Sequence, residues 1–333
     1  MLEEKIIFRR ATIASVITST YPMIVVGCYF GITPWNMERL SIDESDLSYA
    51  ILLFGIFFII SNQIAGRILV PKYGTKLVMT LAFPIVTFSA LLTVISSSYF
   101  YFLLTFISGG IGWGASGPIG GIHSQLIERH FKKIITPYYA MGFNLGILLG
   151  GGLAGLIMRN NYEPYISFTI LSFLSILVSS FVYSYGLPRD LDFKGEGEKF
   201  KLPETNVLLF GFLLFFVFGS GGIIMDWSTL WLSKDLNTPL YLASMGLIFF
   251  SIGGIFANLF SNSLINLFTE KVVGCHFVMI GAAIMFLSLL TNNFYIILGV
   301  LCIYGFAIAN LVPIIIRQAV KQSNESIPMT VTN

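Results

Sequence analysis

Asp226 is a carboxylate set between Met225 and Trp227, just after Gly219, Gly221 and Gly222, at the end of about twenty apolar residues. Three kinds of chemistry suit such a group when its helix crosses a membrane. At the water boundary it meets solvent or caps a helix end. Opposite a cation it closes an ion pair, and an internal repeat described below offers Arg39 as partner. Carried deeper by the glycines, it takes up and releases a proton, because broken helices are tolerated in a membrane where they line a cavity. An ionisable residue inside a span is a functional candidate by default. Depth separates the readings: about twenty residues at 1.5 Å each place Asp226 roughly 30 Å along its helix, near the far interface.

The other candidates are fewer and milder. Trp113, Asn144 and Asn310 are amphipathic or polar groups within apolar stretches. A buried amide in lipid bonds a neighbouring helix or lines a cavity. Gly142, Gly146 and Gly150 recur every fourth residue, with Gly151 and Gly155 on an adjacent row, the pattern of close helix packing. "GWGASG" (Gly112 to Gly117) has the letters of a dinucleotide loop but follows no strand, so it too reads as packing. Cys28, Cys275 and Cys302 lie in apolar stretches without metal spacing, and His123, His130 and His276 are far apart. No nucleophile–base–orienter set stands out, so no enzyme, no cofactor and no metal site are expected.

The elements that must position these residues follow from composition. Of 333 residues, 11% are charged and 55% hydrophobic, against about a quarter charged in soluble domains. A net charge of +2 gives no reason to expect nucleic acid. The expected class is all-α, a polytopic membrane protein whose main partner is the lipid bilayer. Ten apolar stretches are long enough to span, at about 11–32, 48–68, 77–95, 100–123, 138–158, 165–185, 206–231, 240–262, 273–290 and 295–316. No alternating strand pattern occurs, which excludes a barrel. With the N-terminus in the cytoplasm, 16 of the 19 Lys and Arg fall inside, leaving only Arg39, Arg159 and Lys234 outside. Both termini are then cytoplasmic. Trp35, Trp227 and Trp231 fall at the outer boundary, where amphipathic rings collect.

The chain also repeats itself. "WNMERLS" (Trp35 to Ser41) closes the first span as "WSTLWLS" (Trp227 to Ser233) closes the seventh. "LLTVISSSYFY" precedes the fourth as "LSLLTNNFY" precedes the tenth, and Pro118-Ile119 answers Pro313-Ile314. Residues 1–186 thus form a six-helix half, 187–204 a charged cytoplasmic linker, and 205–333 a half with four helices and a polar tail.

Two parallel halves joined by such a linker resemble the major facilitator superfamily. The basic turn "GRILVPKYGTK" resembles that family's general signature, keeping Gly66, Lys72, Gly74 and Lys76 but with Pro71 near the usual acidic position. Pro34, "IERHFKK" before Pro137, "GFNLG" and Asp226-Trp227-Ser228 are most like the bacterial YbjJ-type subgroup. The resemblance implies a fold of about ten of the usual twelve helices in a bacterial inner membrane. It implies alternating-access transport of a small organic solute, with protons as a further partner. It makes spans one, four, seven and ten the cavity lining, with Trp113, Asn144, Asp226 and Asn310 as cavity candidates and Arg39 with Asp226 as an outer gate. Ile32, His123, Ala140 and Gly221 replace polar or charged residues of the subgroup. A non-transporting remnant, or a membrane-interaction protein, is the alternative that these losses and the short second half favour.

Overall fold

The computed structural model describes residues 2–193 and 205–322; the linker lysines Lys194, Lys199 and Lys201 and the tail from 323 lie outside the described residues. Every regular element among the described residues is helical. Among the described residues, ten helices are long and apolar enough to cross a membrane: span one (Glu3–Gly31), two (Glu44–Tyr73), three (Thr75–Ile95), four (Tyr99–Phe131), five (Thr136–Arg159), six (Pro164–Tyr185), seven (Leu208–Lys234), eight (Leu240–Leu259), nine (Ser261–Ser288) and ten (Phe294–Ala319). The end of the bundle that carries most Lys and Arg is called the basic end here, and the other the far end.

Local chemistry sets the helix starts. Asp43 accepts from the Asp46 amide at 2.9 Å while the Asp46 carboxylate accepts from the Asp43 amide, a reciprocal cap for span two. Ser98 caps span four and Asn293 caps span ten. These two residues occupy the same place in the internal repeat, so the echo there marks a shared helix start. Glu128 serves span five, accepting from the Ile135 and Thr136 amides at 2.7 and 2.6 Å.

Prolines account for the irregular turns. Pro313 cannot donate to Ala309 and its ring crowds that carbonyl, and the helix of span ten is interrupted between Ile308 and Leu311. Pro71 likewise cannot donate to Arg67, and the backbone widens into a π-turn over Ala65–Leu69. Span nine begins earlier than its apolar stretch predicts. Ser261–Lys271 is an amphipathic helix joined to it across a kink at Thr269, where φ is +72°.

Within the first half, span one packs on five and six, span three on four and six, and span two on four. In the second half, eight and nine pack on ten, and seven lies along the end of ten. The halves meet chiefly where span five lies against span eight. Span five does this with its two glycine rows. A Cβ at Gly142, Gly146 or Gly150 would run into the carbonyls of Val16, Thr20 and Ile24 on span one. Gly151 and Gly155 instead face Leu247, Ser244 and Tyr241 of span eight and the turn before it. The apolar window of span one is 56% buried, whereas that of its repeat partner, span seven, is 11% buried. Spans five and six cover span one, and no equivalent pair covers span seven among the described residues.

Candidate transport pathway

Four layers follow one another between the halves, from the far end toward the basic end. The first is a seal. The short helix Thr33–Leu40 brings Met37, and spans two and four bring Leu47, Ala50 and Phe102, against Leu230 and Trp227 of span seven. Lys234 of span seven pairs with Glu44 at the start of span two beside this cluster. Both side chains are about half exposed, so the pair contributes under about 1 kcal/mol. The packing is what closes this end.

Asp226 lies directly behind the seal. It is half-buried, its carboxylate lies back toward Gly222, and it has no hydrogen bond or ion pair among the described residues. Tyr29 of span one is within electrostatic reach of both Asp226 and Arg39. Arg39 itself is engaged elsewhere. Its guanidinium donates to Asn36 Oδ1 at 2.7 Å, to the Ser96 carbonyl at 2.5 Å and to the Thr93 carbonyl at 3.3 Å, and it sits over the Trp35 ring. The expected Arg39–Asp226 pair is not formed in this conformation: the cation ties the short helix to the end of span three, and Glu44–Lys234 is the ion pair across this rim.

The third layer is apolar. Met23, Ile147 and Leu247 pack with Phe30, Phe143 and Met225, and Trp113 belongs to this cluster, its ring 6.2 Å from that of Phe143. Trp113 lies over Gly117, where a Cβ would meet its indole. One predicted cavity residue is therefore part of a plug that separates Asp226 from what lies below.

The fourth layer holds the amides. Asn144 packs across the seam on Gly254 of span eight and donates to the Ala140 carbonyl at 3.2 Å. Asn310, in the break of span ten, donates to the Ala257 carbonyl at 3.0 Å. Asn258, one turn from Gly254 and not singled out by the sequence, is 4% exposed, and neither of its amide atoms has a hydrogen-bond partner among the described residues. Asn310 Oδ1 and the Ser251 hydroxyl are likewise buried and without a partner among the described residues, as are the hydroxyls of Ser228 and Thr229 nearer the far end, between Asp226 and Leu230. Unpaired buried polar atoms each cost about 1–3 kcal/mol, so in a native fold they point to water or a ligand.

At the basic end the signature turn is built differently from its sequence pattern. Gly74 has φ +84°, and a Cβ there would collide with Asp192 and Arg189. Asp192 comes from the segment after span six. It accepts from the Thr75 and Lys76 amides, both at 3.1 Å, and from the Thr75 hydroxyl at 2.6 Å. It thus caps span three, favourably placed at the positive end of that helix. The acid that the turn lacks near Pro71 arrives from elsewhere in the chain. Arg189 donates to the Lys72 and Phe193 carbonyls. Lys76 extends its ammonium over the Tyr183 ring, Lys72 over Tyr73, and Gly66 lies buried in the π-turn. Residues 187–193, the start of the expected charged linker, pack on the first half, with Leu187 fully buried.

Ten apolar spanning helices among the described residues, with an apolar seal, an apolar plug and buried unpaired polar groups along them, are the architecture of a polytopic membrane protein. The Major Facilitator Superfamily profile matches residues 13–328, and the chain belongs to that family. It is 21% identical over 300 residues to an uncharacterized MFS-type transporter of Yersinia pestis, covering 88% of this chain and 76% of that one. Solved structures of the same fold include the human organic anion transporter MFSD10 (TM-score 0.69, 14% identity, 98% of this chain and 88% of that one). A bacterial homolog of the lysosomal transporter Spinster (TM-score 0.66, 13% identity, 98% and 78%) and a D-xylose–proton symporter (TM-score 0.65, 14% identity, 98% and 85%) share it.

Proposed function

We propose that the chain carries a small organic solute across a bacterial inner membrane by alternating access, with both termini in the cytoplasm and the far end outside. The observation that carries this reading is the set of unpaired buried amide atoms and the Ser251 hydroxyl on spans eight and ten, behind an apolar plug that spans both halves. Amides donate and accept, which suits an uncharged, hydrogen-bonding part of a solute. Asp226, with no counterion beside it, is the group proposed to take up the coupling proton. The symporter named above couples a sugar to protons, which makes that coupling a natural one to test here.

Rocking of the halves must open the outer seal. Leu230 is 4% exposed in it. In a cysteine-free background carrying Leu230→Cys, a membrane-impermeant maleimide added outside is expected to label the protein slowly. A disulfide between cysteines placed at Glu44 and Lys234 should stop the labelling. A Leu230→Cys protein that stays unlabelled under all conditions would mean halves that do not rock, and would favour a non-transporting membrane protein.

A further inference from the structure

We infer that His123, Thr75 and Asp192 form a one-way hydrogen-bond relay that holds His123 as the neutral Nδ1–H tautomer and positions the segment leaving span six. The direction follows from counting hydrogens. Asp192 Oδ1 accepts from the Thr75 hydroxyl at 2.6 Å and from the Thr75 and Phe193 amides at 3.1 and 2.7 Å. An ionised carboxylate only accepts, so the single hydroxyl hydrogen of Thr75 is spent on it. His123 Nδ1 lies 2.7 Å from the same hydroxyl oxygen and must therefore be the donor. On the other side of the ring, the Leu187 amide points at Nε2 across 3.4 Å. A backbone N–H only donates, so Nε2 must be bare. Two independent contacts require the same tautomer, and a doubly protonated ring would set N–H against N–H at Leu187.

The ring and its partners are dry. His123 and Thr75 are fully buried and Asp192 is 6% exposed. The charged groups that face the ring are Asp192 and Lys76, with Arg189 next to Asp192 at Gly74. The relay joins span four, the start of span three and residues 187–193, which no backbone–backbone hydrogen bond links to one another among the described residues. Packing on the first half therefore continues beyond Gly186 through residues 187–193. Any pull from a moving second half reaches spans three and four through these side chains, where otherwise it would fall on the end of span six. This consequence stands whether or not the chain transports a solute.

The test uses the full-length protein in nanodiscs. His130 and His276 are exposed, so His130→Gln with His276→Gln leaves His123 as the one imidazole. Nitrogen-15 spectra of that variant should show a protonated Nδ1 and a bare Nε2 at neutral pH. A protonated Nε2, alone or with Nδ1, would overturn the assignment. Hydrogen exchange then separates the two ends of the relay. His123→Asn keeps a donor toward Thr75 but does not reach Leu187; at least tenfold faster exchange is expected at Leu187 with Thr75 and Lys76 still protected. His123→Ala should speed all three. Equal exchange at Leu187 in wild type and both variants would show that the relay positions nothing.

Discussion

Asp226 lies one helical turn behind an apolar seal with no hydrogen-bond or ion-pair partner among the described residues, whereas Arg39 donates to the Asn36 amide oxygen and to the Ser96 and Thr93 carbonyls. That asymmetry assigns the two residues different work. Arg39→Ala would take the donor from the Ser96 carbonyl and the Asn36 amide oxygen, and should lower stability by about 1–3 kcal/mol, read as a reduced melting temperature in detergent. Asp226→Asn should leave melting nearly unchanged but abolish solute-dependent proton uptake by reconstituted vesicles. Proton uptake that persists in Asp226→Asn would remove the carboxylate from the coupling step. Combined, the two substitutions should add within about 0.5 kcal/mol in melting experiments on this sealed state, since the side chains share no contact.

At the scale of elements, span five joins the two halves by packing, because its two glycine rows serve two different neighbours. Gly146 lies against the Thr20 carbonyl of span one, a backbone atom that cannot yield as a side-chain tip would. Gly146→Val should therefore cost more than the usual 1–3 kcal/mol of an overpacked site, and show as loss of monodisperse protein on size exclusion. Gly152, on the same helix, has open space where a Cβ would go. Gly152→Ala should be tolerated, and serves as the control. The span ten break has a comparable local cause: Pro313 ends the first helical segment, and the freed turn is where Asn310 enters the seam.

For the whole molecule, the two halves are related by sequence but not by cover. Span one is enclosed by spans five and six, while span seven presents Leu209, Phe212, Leu213 and Phe216 outward, each at least half exposed. In a bilayer that face meets lipid or another apolar helix. Phe216→Leu should insert and fold normally. Phe216→Asp places a charge near the middle of the span, where insertion costs about 2.5–3.5 kcal/mol, and should reduce the amount of protein reaching the membrane.

How much of this was legible without coordinates divides along one physical line. Features enforced locally were readable. Each spanning segment must satisfy its own backbone in lipid, so length and apolar content marked all ten helices, and glycine spacing marked the close-packed faces. The echo before spans four and ten was readable too, although that it holds the caps Ser98 and Asn293 came from the structure. What depends on how distant helices rotate against one another was not readable. No periodicity tells Asp192 to reach Thr75 across 117 residues, or tells Arg39 to turn toward Ser96 and away from Asp226. Trp113 looked like a cavity residue because it is amphipathic, and only the packing of Phe143 and Met225 around it makes it part of a plug. Asn258 passed unnoticed because an amide near a span's end is ordinary until its neighbours leave both of its polar atoms without a partner. The sequence by itself determined a helical membrane protein and its spanning segments, ten of them among the described residues, because those are properties of single segments. Which polar groups meet, and which are left facing one another across the seam, was decided only by the tertiary structure, because side-chain pairing between helices is set by their mutual rotation and depth.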